Sequence, residues 1–363
     1  MKILGIESSC DETAAAVVED GFRVLSSVVN SQIDIHAQYG GVVPEIAARS
    51  HIEVINPVIR EALTRAQCSW NDIDAIAVTY APGLVGSLLV GVLAARTLAI
   101  LRDKPLYAIH HVEAHVYANF ITESNGSALQ LPSKQPEFPL LALIVSGGHT
   151  QLVLFHGHGD YELLGQTQDD AVGEAFDKVT KILGLPYPGG PSIAAAARHG
   201  DPEKYHLPKA KLDNPYNFSF SGLKTAVLRA VQHAVGKNFT FPSHELPKLI
   251  NDVQRADFAA SFQRVAVETL VERTLRAYSD FAPRSVVIAG GVAANQELRR
   301  QLSARLPIAI EYAPMQFCTD NAAMIATLGF FHAQYSTPAD PYTLDVVPSL
   351  SMVNTAWNSA KVL

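Results

Sequence analysis

His111 and His115 stand four residues apart in the run His110-His111-Val112-Glu113-Ala114-His115. On an α-helix that spacing is just over one turn, so the two imidazoles share a face and could grip one divalent metal. Glu113 comes two positions after His111, roughly 200° around the helix, and so points away from that face. The pattern is therefore not the HExxH of zinc proteases, where the glutamate acts as base beside the metal. Surface or capping histidines would give the same run. A metal also needs a third ligand. Thr319-Asp320-Asn321-Ala322-Ala323 reads as a helix start, where Asp320 would either cap the helix or bind metal, and the residue types alone favour the cap.

Glycine pairs supply a second kind of chemistry. Ser146-Gly147-Gly148-His149-Thr150 lies between two predicted strands, where backbone N–H groups could face a phosphate without a Cβ in the way. Gly290-Gly291 ends a predicted strand and opens a predicted helix, offering N–H donors and the positive end of a helix dipole, with Asn295 one turn in. Pro188-Gly189-Gly190-Pro191-Ser192 is a third such turn. Asp177, in the carboxylate-rich stretch from Asp169, either balances a helix dipole or holds ribose hydroxyls. The opening turn Glu7-Ser8-Ser9-Cys10-Asp11-Glu12-Thr13 adds hydroxyls and carboxylates. One glycine turn is weak evidence; three, two of them at equivalent places in a repeat, point to a nucleotide site.

The elements that must position these residues repeat. Lys2–Glu7, Thr13–Glu19 and Val24–Asn30 read as a strand meander with an Asp20-Gly21 turn. After a Ser, Gly, Pro and Asn-rich stretch from Thr122 to Pro139, the meander restarts as Leu140–Val145, Thr150–Phe155 and Tyr161–Thr167. Thr13 and Thr150 hold the same place. Strand Asp74–Tyr80, Gly83 and the helix Gly86–Arg102 are echoed by Ser285–Ala289, Gly290-Gly291 and a helix from Val292 to Leu306. Helices are further predicted over Glu45–Ala66, His111–Ile121, Ala171–Leu183, Pro191–Ala197, Leu223–Val235 and Leu246–Asp280, with a strand at Pro105–Ile109 and an irregular tail from Thr337. Such β-β-β-α-β-α units imply a duplicated α/β fold.

Composition sets the frame. In 363 residues, 48% are apolar and 17% charged, which suits a globular protein of about two domains and excludes wholesale disorder. Lys and Arg number 28 against 35 Asp and Glu, for a net charge of -7, so nucleic-acid binding must use a local patch or a partner's surface. Three cysteines, far apart, argue for a reducing compartment. The apolar stretch Leu84–Leu101, interrupted by Gly86, Ser87, Gly91 and Arg96, reads as a buried helix rather than a membrane span. With no export segment visible, a cytoplasmic, non-membrane protein is expected.

These segments together resemble the TsaD (Gcp) family of tRNA N6-adenosine threonylcarbamoyltransferases. The likeness is carried, in order, by Gly5-Ile6-Glu7-Ser8-Ser9-Cys10-Asp11-Glu12-Thr13, Gly41-Val42-Val43-Pro44-Glu45, Pro82-Gly83-Leu84-Val85-Gly86, His111-Val112-Glu113-Ala114-His115, Val145 to Thr150, Asp170 to Lys178, Tyr187 to Pro191, Phe218 to Lys224, Gly290 to Asn295 and Cys318-Thr319-Asp320-Asn321. It implies the duplicated actin-like ATPase fold (ASKHA: sugar kinase, Hsp70 and actin), with two lobes and a central cleft. The lobes are expected at 1–110 plus 321–363 and at 111–320. It implies one divalent metal on His111, His115 and Asp320, Fe(II) foremost, with Zn or Mg able to replace it in vitro. Substrate contacts are implied at Ile144, Val145, Ser146, Gly147, Gly148, Asp177, Gly190 and Asn295. Ala81 stands where the family usually shows glycine. Ala194 replaces an acidic ribose contact of some members, which puts that contact in question.

The implied reaction moves the L-threonylcarbamoyl group from threonylcarbamoyl-AMP, an adenine nucleotide, to N6 of adenosine 37 in tRNAs reading codons that begin with A. AMP leaves and t6A forms. Asp11 and Glu12 are the candidates for a base near N6. Implied partners are the tRNA, a TsaB-like paralogue, a TsaE-like ATPase and a TsaC-type synthase that supplies the adenylate. Lys178, Lys181, Arg198, Lys209, Lys211 and Lys224 are candidate basic contacts for the tRNA. The rival readings are a metalloprotease, against which Glu113 counts; a noncatalytic nucleotide-binding scaffold, which has no need of a metal triad; and a small-molecule kinase, for which no sugar-binding motif is apparent.

Overall fold

The structure, a computed structural model, describes residues 1–125 and 130–352. In chain order its main elements are β1 (Lys2–Glu7), β2 (Glu12–Glu19), β3 (Arg23–Ser31), α1 (Ile33–Ala37), α2 (Pro44–Arg65), β4 (Ala75–Ala81), α3 (Val85–Arg102), β5 (Leu106–His110), α4 (His111–Tyr117), β6 (Glu123–Ser124), β7 (Leu140–Val145), β8 (Thr150–Gly157), β9 (Asp160–Gln166), α5 (Val172–Leu183), α6 (Gly189–Ala197), α7 (Ser221–Ala234), α8 (Asp252–Phe281), β10 (Ser285–Ala289), α9 (Gln296–Arg305), α10 (Met315–Cys318) and α11 (Ala322–Tyr335).

The expected repeat is present in the sheets. One sheet runs β5-β4-β1-β2-β3-β6 and the other β10-β7-β8-β9. In each, a three-strand meander is flanked on its first strand by the strand that leads into a glycine turn: β4 beside β1, and β10 beside β7. β4 lies parallel to β1, with Leu4 opposite Ile76, while β2 runs antiparallel to it.

The chain forms two compact units. The first comprises Met1–Leu140, Phe155–Tyr161 and Glu311–Leu363, and the second Leu141–Leu154 and Glu162–Ile310. These bounds differ from the expected ones: residues 111–140, 155–161 and 311–320 group with the first unit, where α4 packs against α11, β5 and β4. Residues 353–363 of the expected first lobe lie outside the described residues.

In the first unit, small residues let α11 approach its sheet unusually closely. A Cβ on Gly5 of β1 would stand 2.3 Å from the Ala322 carbonyl oxygen, and one on Gly329 would stand 2.5 Å from the Ala77 Cβ. Ala322 and Ala326 line the same seam with nothing larger than a methyl group to hold it open. That backbone-on-backbone contact fixes the N-terminus of α11, and with it Asp320 two residues upstream. On the opposite face, Leu4, Ile6, Ile55, Ile59, Ile76, Val78 and Val92 form one apolar core from β1, β4, α2 and α3.

Several elements differ from the sequence expectation. The stretch Leu84–Leu101 is a helix, but one third of its most apolar window is buried. It buries Leu88, Gly91, Val92, Ala95 and Ala99 and leaves Val85, Leu89, Leu93 and Ile100 exposed. By length and composition α3 is apolar enough to cross a membrane, a test that the core helix of a soluble protein also passes. The helix expected from Val292 begins only at Gln296, since Asn295 caps it, its side chain accepting from Leu298 N at 3.0 Å. The helix expected from Leu246 is a 3₁₀ turn over Ser243–Lys248, followed by α8 behind the capping box of Asn251 and Gln254. α4 stops at Tyr117 and tightens into a 3₁₀ turn. The short α1 and β6 had no sequence signal, being five and two residues long.

Candidate active site

The first unit assembles its site from side chains. β5 runs directly into α4, whose first residue is His111, and His115 follows one turn later. Asp320 precedes α11. The Asp320 Oδ1 lies 3.5 Å from His111 Nε2 and 3.3 Å from His115 Nε2. One donor atom from each of the three lies within 4.8 Å of the others. The two imidazoles meet nearly edge to face, 78° between planes, so their nitrogens converge rather than stack.

His115 tests whether this is a metal site. Its side chain is buried, yet neither ring nitrogen has a hydrogen-bond partner of acceptable geometry. A buried, unpaired imidazole is costly unless something completes it. Nitrogen, nitrogen and carboxylate oxygen are donors that a divalent transition metal takes. The residues fit a metal.

Glu7 sets the orientation of His111. It is fully buried, and its Oε2 lies 2.9 Å from His111 Nδ1. Thr79 Oγ1 donates to the same oxygen at 2.6 Å, and Ser9 N donates to the other. A carboxylate on Nδ1 fixes the tautomer and leaves Nε2 aimed at Asp320. Glu7 stood in the opening turn of the sequence, but nothing in its spacing tied it to His111; only the pairing of β1 with β4 brings it there.

The charges are strongly coupled. Burial alone would depress the His111 imidazole, but Glu7 and Asp320 outweigh it and hold it well above its ordinary value. Burial likewise works against Asp320 and Glu7, and the imidazoles override it, keeping both carboxyls low. His115 goes the other way, kept neutral by burial. Glu12 is pushed up to about 9 by burial and by the charges of Asp320 and Asp11. Glu12 thus lies within electrostatic reach of Asp320, with Asp11 beside it. Glu12 also accepts from Ser31 Oγ at 2.8 Å.

Glu113 sits on the reverse face of α4, as its spacing required. It is fully buried, its Oε2 accepts from Tyr161 Oη at 3.2 Å, and burial pushes its carboxyl up to about 8. It lines a separate cavity of about 720 Å³ together with Tyr80, Tyr107 and His110.

The second unit builds with backbone. Between β7 and β8, Ser146 N donates to His149 O at 2.8 Å and closes the turn. A Cβ on Gly147, Gly148 or Gly291 would meet nothing within 4 Å, so the Cβ side of each is open. Gly290 is different: its φ is +89°, and a Cβ there would stand 2.5 Å from Val145 O. It thereby clamps the end of β10 against β7. Gly173 does the same for α5, where a Cβ would lie 2.6 Å from Ser146 O. Ile144 and Val145 are buried strand residues, able to offer a ligand only backbone.

Asp177 holds the third turn: its Oδ1 accepts from Gly189 N at 2.8 Å, and a Cβ on Gly190 would meet nothing within 4 Å. Burial raises the Asp177 carboxyl, with the Gly189 bond opposing. Asn295 spends its side chain on its cap and on Gln263 Oε1, at 3.1 Å. Of the candidate basic contacts, Lys178 is paired with Asp170 and Glu174, and Lys209 with Glu268 and Glu272.

Comparison with known proteins agrees. The model of the family described as TsaD, tRNA N6-adenosine threonylcarbamoyltransferase, matches residues 23–327. The tRNA N6-adenosine threonylcarbamoyltransferase of Symbiobacterium thermophilum is 54% identical over 353 residues, 96% of each chain. That of Thermomicrobium roseum is 51% identical over 360 residues, 97% of each chain. Among solved structures, full-length HypF in its phosphate- and nucleotide-bound form superposes with a TM-score of 0.58 at 12% identity, covering 93% of this chain and 47% of that one. That likeness concerns the fold, the actin-like ATPase class to which the repeated sheets conform.

Proposed function

Because the chain belongs to the TsaD family of tRNA N6-adenosine threonylcarbamoyltransferases, we propose that His111, His115 and Asp320 hold its catalytic metal. The chain is an acyltransferase that places a threonylcarbamoyl group on the N6 of adenosine in tRNA. The finer assignments that follow are our reading.

The observation that carries the site is the buried His115 with two unpartnered nitrogens beside Asp320. A divalent ion there, Fe(II) in our reading, would act as a Lewis acid on the carbamoyl carbonyl, since the adenine amine is a poor nucleophile. Glu7 keeps His111 Nε2 directed at the ion. Threonylcarbamoyl-AMP is the donor, and the Gly147, Gly148 and Gly291 peptides favour the departing phosphate of AMP. Asp177, Gly190 and Asn295 bound the nucleotide's ribose and base. The N6 proton of adenosine 37 passes to the Asp11 and Glu12 pair. A carboxyl whose proton is held to about 9 is the stronger base once ionised, and a bound cation beside Asp320 favours that ionisation.

The tRNAs are those reading codons that begin with A. A TsaB-like paralogue, a TsaE-like ATPase and a TsaC-type synthase complete the cytoplasmic system. The exposed row Val85, Leu89, Leu93 and Ile100 on α3 supports a protein partner.

The test combines elemental analysis with single-turnover transfer to unmodified tRNA. His111→Ala, His115→Ala and Asp320→Ala should each lose metal and transfer together. Full transfer by metal-free Asp320→Ala protein would overturn the assignment.

A further inference from the structure

The net charge of -7 leaves the chain poorly suited to a polyanion, so the contact must come from a local patch or a partner's surface. Between residues 221 and 250 the sequence carries four cations, Lys224, Arg229, Lys237 and Lys248, against the single carboxylate Glu245. The connection from α7 to α8 also carries the most exposed phenylalanine among the described residues, Phe239, at 71%.

That exposure is held in place by local structure. Gly236, at a φ of +69°, ends α7 and turns the chain. Buried Gln232 then donates from Nε2 to Phe241 O at 2.9 Å and Phe239 O at 3.4 Å, tying the loop to the helix. Asn238 Oδ1 accepts from Thr240 Oγ1 at 2.8 Å. The Arg229 guanidinium lies 5.5 Å over the Phe239 ring, and Lys237 Nζ lies 5.1 Å over Phe241. An outward ring costs free energy in water, and here Arg229 lies over the Phe239 ring while 71% of the residue stays exposed. Aromatic faces interleaved with cations are what unpaired nucleic-acid bases stack on while their phosphates are neutralised.

We propose that Phe239, with Arg229 and Lys237, is a contact for an unpaired base and its flanking phosphates in the tRNA. The inference rests on tRNA being the substrate, and adds the surface that receives it.

The test is fluorescence anisotropy of labelled, unmodified tRNA with the full chain at several salt concentrations. Phe239→Ala should weaken binding on the order of tenfold. Phe239→Trp should retain it. Lys237→Ala should weaken binding and lower the log–log salt slope by about one. Since Phe239 is exposed, the melting temperature of Phe239→Ala should match the wild type. His115→Ala should lose transfer yet bind tRNA normally, so failure of the chemistry and failure of this contact read out separately. Unchanged tRNA affinity in Phe239→Ala would overturn the proposal, even if association with a protein partner were lost, and so would a wild-type chain with no measurable tRNA affinity at 50 mM salt.

Discussion

The two units assemble their candidate sites in opposite ways. In the first, the groups are side chains: His111, His115 and Asp320 converge, and Glu7, Thr79 and Ser9 lock one of them from behind. In the second, the candidate groups are peptides: some glycines have open space where a Cβ would stand, while others let backbones touch. A side-chain site fails by loss of a ligand while the fold survives. A backbone site fails by a gain of atoms, and whether the fold survives depends on which glycine gains them.

The largest effect should come from the ligands themselves. His115→Ala removes one of the three proposed donors, and loss of Lewis-acid stabilisation worth several kcal/mol corresponds to a fall in transfer of about a thousandfold or more. Metal content by elemental analysis should fall with it, and the melting temperature should move by a few degrees only. A His115→Ala protein that retained both metal and turnover would remove the distinction between the two units.

Within the second unit, two substitutions of one kind should part company. Gly147→Val puts its side chain into open space, so the fold should persist while adenylate affinity drops by about ten- to a hundredfold. Gly290→Val faces a positive φ and a carbonyl at 2.5 Å, and should cost on the order of 3–5 kcal/mol in stability. Calorimetry beside thermal melts separates them. Equal melting temperatures for the two variants would contradict the clamp assigned to Gly290.

Glu7→Gln sharpens the comparison from the side-chain end. The amide keeps the volume but removes the charge on His111 Nδ1, and outer partners of this kind typically contribute ten- to a hundredfold in metal affinity. Because Asp320 and Glu7 hold the His111 proton well above its ordinary value, metal uptake should release a proton, and Glu7→Gln should release less. Competition with a chelator, alongside titration in two buffers of different ionisation enthalpy, reads both quantities.

What the sequence revealed follows the same division. The glycine turns and the HxxxH spacing are local signals, so the strands, the repeat and the shared helical face of His111 and His115 were readable from residue types at fixed offsets. Asp320 was not, because a carboxylate at a helix start looks like a cap, and only the alanine and glycine seam of α11 against Gly5 delivers it to the histidines. Glu7 was missed for the same reason, being 104 residues from its partner. Asn295 misled in the other direction: its offset from Gly290 suggested a position inside a helix, whereas its side chain is the cap that starts one. The exposed face of α3 was hidden by composition, since leucine, valine and isoleucine all round a helix give an apolar average without telling which side is covered.

The smallest effect on transfer should come from Glu113, which shares a helix with the ligands but faces away from them. Its consequence lies in stability. In the folded chain burial keeps its proton on up to about pH 8, whereas in the unfolded chain an ordinary glutamate loses it near pH 4.3. Between those values the unfolded state binds fewer protons than the folded one, so stability falls as pH rises and levels off above about 8. The fall amounts to a few kcal/mol at most, as an order of magnitude. Glu113→Gln keeps an oxygen to accept from Tyr161 and has no proton to lose, so its stability should not carry this slope. Urea unfolding at pH 5, 6.5 and 8.5 should therefore show the variant gaining on the wild type as pH rises. Taking the difference between the two proteins cancels the contribution of Glu12, which titrates in an overlapping range. Transfer at neutral pH should stay within about threefold, in contrast to the loss expected of His111 and His115 on the opposite face. A flat difference in stability across that range would mean that the Glu113 carboxyl is not held neutral behind the metal helix.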